Sequence, residues 1–577
     1  MRSDQMNKKH RRLWPLLILL LLVLAAGGFT FNILWGEQVN KAHEKPDFGP
    51  VTRPIFYKGE FIGVGAEGEK AGLMLPLSTY QEYVDKTIRY EQDSESVIIT
   101  TNDKVVRLKT SQLTGFVNEK PFKMQFPVKK VGGVIYLPVE PLKEFYHLVV
   151  LEYPNTGAVV LRKEGDALQW AKVPQNPKHS DQTMALRAKP TLQAPIHSDL
   201  KQDTAVTLWG EAEGWYRVLT EDGIPGYMRK SDLVLDRTET VPIQPLKEPF
   251  IAWEAMGQKI NLTWQQVWSK AADFSSIGDM PGLNVISPQW LHLEDGAGTV
   301  VNKVDPAFIA WANKRGYRVW PLFNNGFDPE RTTQALSTYD TRMKIIKQLL
   351  SYVELYKLNG VNVDFENVYL KDKENFAQFL REMTPLLHEQ GAVVSVDITV
   401  KAGSDTYSRF LDREALGQTV DYLILMGYDE HWATSPEAGS VASLPWVENG
   451  ISRILEEDGV PASKMILGVP FYTRIWTEKT EDGETKVSSK AVSMSHIENL
   501  LIEKKLTPIM DVASGQHYVE YNEDGSAKKI WIEDEISMTK RMDLVRKYDL
   551  AGVASWSRGM ETDNIWTRIQ DELKKLR

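Results

Sequence analysis

Cysteine is absent from this chain of 577 residues. Its absence excludes a disulfide framework, a zinc–thiolate site and a thiol nucleophile. Basic residues are not in excess either, because the formal net charge is −9 and the pI is about 5.7. We therefore expect no nucleic-acid partner. The 10 histidines form no HxxxH or HExxH spacing, so we predict no metal and no cofactor.

Long apolar runs are missing everywhere except at the amino terminus. Leu13 to Trp35 is long enough to span a bilayer and follows a basic segment. We favour a transmembrane anchor over residues 13–35, with residues 1–12 as a cytoplasmic basic tail and the rest of the chain extracellular at the cell membrane. The alternative is a signal peptide cleaved near Ala25 and Ala26, which would leave a secreted protein.

Residues 52–165 contain short β-rich runs separated by turns. The segment SESVIITTNDKVVRL predicts a hairpin with Asn102 and Asp103 at its turn. The succession of GLMLPLSTYQEYV and VIYLPVEPLKEFY resembles the amino-terminal domain of copper amine oxidases. This resemblance implies a stalk-like domain for spacing or wall contact.

Residues 184–236 form a second small β-rich module. The segments LRAKPTLQAPI, AVTLWGE and GWYRVLTEDGIPGYMRKSDLV resemble the bacterial SH3 family. That resemblance implies binding of cell-wall peptide, with Trp209, Trp215 and Tyr227 as the aromatic residues available for a groove. The alternative is that these rings fill the core of a small barrel, and the sequence leaves both readings open.

From residue 250 to residue 577, short apolar runs alternate with helical patterns. The alternation predicts an α/β fold, a (β/α)8 TIM barrel with active-site residues at the C-terminal ends of its strands.

About 60 residues separate the seventh run from the next helix, far more than a usual loop. We therefore predict an α+β insertion at about 477–536, with a hairpin turn at Asp524 and Gly525. The eight runs are FIAWEA, LNVISPQW, YRVWPLFNN, GVNVDFEN, VVSVDITV, DYLILMGYD, MILGVPFYTRIW and AGVASWSRG.

The fourth run, GVNVDFEN, carries an unusual set of polar residues. As a strand it sends Asn362, Asp364 and Glu366 to one face and its apolar residues to the other. An exposed edge strand would alternate in the same way. Because helical patterns flank the run on both sides, we place it in the parallel barrel with its acids facing inward.

Four motifs follow one another along this part of the chain. They fall on Asn359, Asn362, Asp364 and Glu366, on Met426, Tyr428 and Asp429, on Leu467 to Arg474 with Tyr472, and on Trp556 in strand eight. In this order they resemble the signatures DxxDxDxE, MxYD and LG(I/V)PfYxR and the strand-eight tryptophan of glycoside hydrolase family 18, the chitinase-like family. The strand-four run is most similar to the spore-cortex peptidoglycan lytic enzymes of the YaaH and SleL type, which act as N-acetylglucosaminidases.

The resemblance implies a mechanism in which the substrate's own 2-acetamido oxygen attacks the anomeric carbon. Glu366 is then the general acid and afterwards the base for water, and Asp364 holds the acetamido N–H and offsets positive charge. Tyr428 hydrogen-bonds the acetamido oxygen and Asp429 braces the sugar or the acid pair. The negative charge of Asp364 should also raise the pKa of Glu366.

Several further residues are candidates for substrate contact. Trp556 would stack under the sugar, whereas Trp290, Trp432 and Trp476 lie near strand ends and serve either as sugar platforms or as packing. Asp397 on strand five either faces the cleft or is a structural hydrogen-bonding residue. The residues assigned to substrate binding are Asn362, Asp429, Met426, Tyr472, Arg474, Trp556, Trp290 and Trp432.

The chain departs from the family pattern at positions 359 and 362, where asparagine stands in place of aspartate. Asn362 can donate a hydrogen bond but cannot titrate, so the acid–base cycle is left to Asp364 and Glu366. The expected protein is a membrane-anchored extracellular glycosidase that hydrolyses β-1,4 bonds at N-acetylglucosamine, in peptidoglycan rather than chitin. The alternatives are a chitinase or a catalytically silent sugar-binding protein, since fold alone does not establish activity.

Overall fold

The structure is a computed structural model that describes residues 39–175, 183–243, 256–267, 274, 277–481 and 484–575. The predicted basic tail and the predicted transmembrane segment lie outside these residues. Within the described ranges, none of the helices combines the length and the apolar character needed to cross a bilayer.

Residues 39–243, as far as they are described, are mostly β-structure. Their elements are β1 (Pro54–Tyr57), β2 (Glu60–Gly65), β3 (Met74–Pro76), α1 (Leu77–Tyr83), β4 (Arg89–Glu91), β5 (Ser96–Thr100), β6 (Val105–Lys109), β7 (Thr114–Val117), β8 (Lys120–Lys123), β9 (Lys129–Val131), β10 (Val134–Pro138), α2 (Val139–Tyr146), β11 (Leu148–Glu152), β12 (Val159–Lys163), β13 (Ala167–Lys172), β14 (Met184–Arg187), β15 (Ile196–Leu200), β16 (Ala205–Ala212), β17 (Trp215–Thr220), β18 (Pro225–Arg229) and β19 (Val234–Thr240).

Residues 256–575 alternate strands and helices, as the sequence predicts. The elements are β20 (Ile260–Gln265), β21 (Val285–Leu293), β22 (Val300–Asn302), α3 (Pro306–Lys314), β23 (Arg318–Val319), β24 (Leu322–Asn324), α4 (Pro329–Leu336), α5 (Tyr339–Tyr356), β25 (Gly360–Asp364), α6 (Lys373–Glu389), β26 (Val393–Thr399), α7 (Arg413–Thr419), β27 (Tyr422–Met426), α8 (Leu444–Glu457), β28 (Met465–Pro470), β29 (Tyr472–Glu481), β30 (Glu484–Ser493), α9 (Met494–Lys504), β31 (Ile509–Asp511), β32 (Gln516–Glu523), β33 (Ser526–Ile532), α10 (Glu535–Lys547), β34 (Gly552–Trp556) and α11 (Asp563–Lys574).

The chain divides into two compact units. Part of the segment predicted as a stalk, the sheet formed by β4 to β8, belongs mostly to the same unit as the barrel, which the sequence pattern did not predict. As far as they are described, the first unit contains Met1–Ile88, Thr110–Thr114 and Lys123–Phe250, and the second contains Arg89–Lys109, Gly115–Phe122 and Ile251–Arg577.

The first unit contains three sheets, with strand orders β11-β12-β1-β2, β3-β10-β9 and β15-β14-β18-β17-β16-β13-β19. The last of these includes the module predicted over residues 184–236. Trp215 is only 8% exposed, which supports core packing for this ring. Trp209 and Tyr227 are partly buried, and a peptide groove that includes them stays a prediction.

The barrel closes through parallel pairing of neighbouring strands. β20 pairs with β21, the pairing continues through β24, β25, β26, β27, β28 and β34, and β34 pairs back with β20. The predicted first strand, residues 250–255, lies outside the described residues. The first strand that the structure shows is β20, which the sequence pattern did not predict.

Strand β25 confirms the predicted alternation. Its neighbour Phe365 is 2% exposed and lies 5.6 Å from the ring of Phe376 and 6.1 Å from that of Phe379, both on α6. These outward contacts bury apolar surface between strand and helix, which is the main stabilising term in such a barrel. The alternate side chains of β25 are therefore left facing the barrel interior.

The predicted insertion is present between β28 and α10. It forms a sheet of order β30-β29-β33-β32-β31 together with α9. The predicted hairpin is confirmed as β32 and β33, with φ of 50° at Asp524 and 71° at Gly525, the backbone conformation of a type I′ turn. The sheet begins at Tyr472, a few residues earlier than expected.

A buried ion pair binds β4 to the barrel helices inside the second unit. Arg342 of α5 is fully buried and donates from Nε to Glu382 Oε2 of α6 at 2.8 Å. The same guanidinium donates to Glu91 of β4. Glu91 Oε2 also accepts from the backbone N–H of Tyr339 at 2.6 Å. Because all three charges are withdrawn from water, removal of one partner would be costly.

Candidate active site

Asn362 lies at the floor of the barrel interior and is fully buried. Its Oδ1 accepts from Trp264 Nε1 at 2.8 Å and from Ser287 Oγ at 3.2 Å. Its Nδ2 donates to Asp397 Oδ1 at 2.8 Å. Because an indole N–H can only donate, the amide oxygen must face Trp264 and the amide nitrogen must face Asp397. Asn362 thus supports the site from below, and the prediction that it contacts the sugar is wrong.

Asp364 stands one inward position above Asn362 on β25 and is 9% exposed. Burial raises the pKa of Asp364 to about 7. Its Oδ1 is buried and has no hydrogen-bond partner among the described residues. Since buried polar atoms are normally paired, an unpaired carboxylate oxygen in a cleft is ready to accept a donor from a ligand.

Glu366 follows the end of β25 and is partly exposed. Asn325 holds its backbone on both sides, since Glu366 N donates to Asn325 Oδ1 at 3.1 Å and Asn325 Nδ2 donates to Glu366 O at 2.8 Å. Burial raises the pKa of Glu366 to about 9, with contributions from the negative charges of Asp364 and Asp429, while a hydrogen bond with Tyr407 opposes the rise. The predicted effect of Asp364 is therefore present but is smaller than that of burial.

The motifs of strands six and seven meet at Asp429. The Tyr472 hydroxyl donates to Asp429 Oδ1 at 2.5 Å, and Arg474 Nη2 lies 3.6 Å from the same atom. Tyr428 is partly buried just after β27. Burial, followed by the charges of nearby carboxylates including Asp397 and Asp364, raises the pKa of Tyr428 well above its usual range. Its hydroxyl therefore stays protonated and able to donate.

The remaining candidates at the mouth of the barrel are aromatic or apolar. Trp556 ends β34, is partly exposed, and its ring centroid lies 5.7 Å from that of Trp264. Met426 ends β27 and is partly exposed. Trp432 is 53% exposed in the segment after β27. Their contact with a sugar stays a prediction.

Two of the predicted tryptophans are buried in packing contacts. Trp290 is 2% exposed and its ring lies 5.5 Å from that of Phe308 on α3, so the prediction of a sugar platform is wrong for this residue. Trp476 is fully buried and donates from Nε1 to the carbonyl of Gly439 at 2.8 Å. Both rings are packing residues, because a stacked sugar needs an exposed aromatic face.

Four residues of the site carry no motif that sequence reasoning recognised. Trp264 and Ser287 donate hydrogen bonds to the amide oxygen of Asn362. Asn325 hydrogen-bonds the backbone of Glu366. Tyr407, in the π-helical turn Asp405–Arg409, hydrogen-bonds the carboxyl group of Glu366. The one signal that was available is positional, since Trp264, Ser287 and Asn325 lie in or just after barrel strands, where functional residues of this fold gather.

Comparison with known proteins finds two family models that match parts of this chain. The model of the glycosyl hydrolases family 18 matches residues 307–561, and that of the copper amine oxidase N-terminal domain matches residues 66–161. The uncharacterized glycosylase YvbX of Bacillus subtilis is 25% identical over 304 residues, which are 51% of this chain and 85% of that protein.

Two other Bacillus subtilis relatives match over a smaller share of their length. The putative sporulation-specific glycosylase YdhD is 29% identical over 238 residues, 41% of this chain and 55% of that protein. The cortical fragment-lytic enzyme is 24% identical over 260 residues, 44% of this chain and 59% of that protein. The matched part of the chain thus spans a little over half the length of these two relatives. These matches show that residues 307–561 form a glycoside hydrolase domain of family 18.

Proposed function

We propose that this protein is a retaining glycosidase that hydrolyses β-1,4 bonds at N-acetylglucosamine by substrate-assisted catalysis. The observation that carries the proposal is the pairing of Asp364 and Glu366. Asp364 offers a buried carboxylate oxygen without a partner, and Glu366, one inward position further along, has a pKa raised to about 9. The first is suited to hold a donor of the substrate, and the second is suited to deliver a proton.

In this proposal each step of the reaction is assigned to one residue. Glu366 donates its proton to the glycosidic oxygen as the C1–O bond breaks, and the acetamido oxygen bonds to C1 to give an oxazolinium ion. Asp364 accepts the acetamido N–H and carries the negative charge that offsets this cation. Tyr428 donates its hydroxyl hydrogen to the acetamido oxygen. The Glu366 carboxylate then removes a proton from the water that attacks C1, which restores the starting acid.

The pKa values of Glu366 and Asp364 suit these two roles at neutral pH. A general acid must be protonated, and the raised pKa of Glu366 keeps it so. Asp364 must be ionised when positive charge develops, and its lower pKa of about 7 allows this. The two carboxyl groups thus follow the rule that neighbouring acids with separated pKa values take different roles.

We propose peptidoglycan as the preferred polymer. This preference is supported by the relatives named as a cortical fragment-lytic enzyme and as a putative sporulation-specific glycosylase. We also propose that residues 13–35 anchor the protein in the cell membrane with the later domains outside, and that the module at 184–236 contacts wall peptide. The support for these two points is the apolar run and the SH3-like sequence pattern.

The test compares the full-length protein, solubilised in detergent, with its Glu366→Gln variant on purified peptidoglycan and on chitin oligomers. Mass spectrometry should show fragments ending in N-acetylglucosamine with the wild type and none with Glu366→Gln. Glu374→Gln is the matched control, because Glu374 is an exposed acid on α6 whose side chain is 61% exposed, and it should cleave normally. Cleavage of chitin alone would instead support a chitinase, and binding without cleavage of either polymer would support a silent sugar-binding protein.

A further inference from the structure

Asp397 is a buried acid directly beside the proposed catalytic pair. It lies on β26, where Asn362 pairs with Ser395 and Val363 with Val396 in parallel register. The next step of this register sets Asp364 beside Asp397, and adjacent strands are about 4.8 Å apart. Asp397 is 3% exposed. Both side chains point into the barrel. Asp364 lies two residues after Asn362, which faces inward, and Asp397 lies two residues after Ser395, the register partner of Asn362.

The hydrogen bonds of Asn362 determine which oxygen of Asp397 is occupied. Trp264 must meet the amide oxygen of Asn362, so the amide nitrogen donates to Asp397 Oδ1 at 2.8 Å. Asp397 Oδ1 is therefore an acceptor, and a proton on Asp397 resides on Oδ2. A neutral Asp397 in this arrangement accepts at Oδ1 and carries its donor on Oδ2.

The titratable groups that act on Asp397 are two acids and one tyrosine, beside the neutral donors Asn362 and Trp264. They are Asp364 and Glu366 from β25 and its extension, and Tyr428 after β27. Among the described residues, no lysine, arginine or histidine forms an ion pair with Asp397 or Asp364. Two buried carboxylates on neighbouring strands without a cation cannot both ionise, so one of them keeps a proton.

We propose that Asp397 is a positioning residue that holds the proton it shares with Asp364, which leaves Asp364 ionised when the substrate cation forms. The inference deepens the proposed function and rests on it. In the free protein one proton serves both carboxyl groups. When the acetamido N–H meets Asp364 Oδ1, negative charge is favoured on Asp364 and the proton stays on Asp397 Oδ2. No proton leaves the pair, and Glu366 keeps its own.

Burial agrees with this assignment. The pKa of Asp397 is raised well above its usual range, first by burial and then by the charge of Asp364, while its hydrogen bonds with Asn362 and Trp264 oppose the rise. The position also explains how the chain functions with a residue at 362 that cannot titrate. The acid that shares the proton is Asp397 on β26, which accepts a hydrogen bond from Asn362.

The first test is infrared spectroscopy of the full-length protein at neutral pH, which does not require activity. The difference spectrum between wild type and Asp397→Asn should show the loss of a protonated carboxyl C=O band. Loss of a carboxylate band instead would overturn the proposal, because Asp397 would then be ionised. If Asp397→Asn does not fold, Asp397→Ser replaces it in the same comparison, with the hydroxyl able to accept from Asn362.

The second test is the pH dependence of kcat/KM on a substrate that the wild type cleaves. In Asp397→Asn the acidic limb should move up by roughly one pH unit, because the neutral carboxyl group of Asp397 no longer shares a proton with ionised Asp364. A downward move would mean that Asp397 is ionised in the wild type. The double variant Asn362→Asp/Asp397→Asn places the second acid on β25 instead of β26 and should return the acidic limb of the pH profile toward its wild-type position. Profiles of both variants that coincide with the wild type would contradict proton sharing.

The control is Asp421→Asn. Asp421 is a buried aspartate at the amino-terminal end of β27, where its Oδ2 accepts from the backbone N–H of Val394 at 2.7 Å. Its replacement should leave the pH profile unchanged. If the wild type cleaves no polymer, the proposed function fails, but the infrared comparison still decides whether Asp397 carries a proton.

Discussion

Asp364→Asn isolates the contribution of one buried negative charge. The substitution preserves the size of the side chain and an acceptor oxygen, so it removes the charge with little change of shape. Preorganised groups that stabilise developing charge are worth about 10²–10³ in kcat, or roughly 3–4 kcal/mol. We expect a loss of this size in kcat with little change in KM, because the neutral substrate does not need the charge.

The same substitution should also change the pH profile. The strand rise puts Asp364 and Glu366 about 7 Å apart. At an effective dielectric constant near 20, two charges at this distance repel by roughly 2–2.5 kcal/mol, which is about 1.5–2 pKa units. The pKa of Glu366 is about 9, and removal of a neighbouring negative charge lowers it. Because Glu366 acts as an acid only when protonated, the alkaline limb should move toward neutral pH.

The assay is the kcat/KM profile of wild type and variant on a chromogenic N-acetylglucosamine oligomer. Asp429→Asn provides the comparison, since Asp429 also raises the pKa of Glu366 but its side chain is 48% exposed and screened by water. Its alkaline limb should move less. Unchanged turnover in Asp364→Asn would refute the role given to Asp364, and a slower enzyme with an unmoved alkaline limb would refute the electrostatic coupling.

Three further substitutions test the surroundings of the acid and the barrel. Tyr407→Phe removes a hydrogen bond that lowers the pKa of Glu366, so the alkaline limb should move up by about one unit, as read from the pH profile. Asn325→Ala frees the backbone of Glu366 and should lower kcat by up to about 100-fold with KM little changed, provided that circular dichroism is unchanged. Glu382→Gln breaks a fully buried ion pair and should destabilise the barrel by about 3–5 kcal/mol in urea unfolding, against less than about 1 kcal/mol for the exposed Glu374→Gln.

The inward face of β25 could be predicted because it depends on two local rules. Strand alternation separates Asp364 from its apolar neighbours, and flanking helical patterns require a parallel strand with both faces covered. The structure confirms both, with Phe365 packed on α6 and Asp364 inside the barrel. The order of motifs along the chain also located Tyr428 and Tyr472 close to the acids without any tertiary information.

The floor of the site could not be predicted, because it depends on how distant strands meet. Residues 260–265, INLTWQ, carry polar residues among apolar ones and are less apolar than FIAWEA, so their role as a barrel strand was missed. Trp264 therefore had no assigned neighbour. Its hydrogen bond to Asn362 joins residues 98 positions apart in the chain, and no local pattern encodes such a contact.

Trp290 shows a second limit of pattern reasoning. Ser287 of β21 faces inward to Asn362, whereas Trp290, three residues further along, lies on the opposite face and packs against Phe308. The alternation of this strand was readable, but its sequence did not tell which of the two faces lines the barrel. The hydrogen bond between Ser287 and Asn362, which decides this, joins two strands 75 positions apart in the chain.

The charges of the site can be balanced against the reaction. On the proposals made above, Glu366 is neutral near pH 7 and one proton serves Asp364 and Asp397, so these three acids together carry about one negative charge. In the described part of the chain no cation pairs with any of them, since Arg474 lies on Asp429 at 3.6 Å. The transition state of glycoside cleavage carries about one positive charge, whereas the bound sugar carries none. The unpaired charge on Asp364 is thus complementary to the transition state rather than to the substrate, which is the condition under which a binding interaction raises kcat.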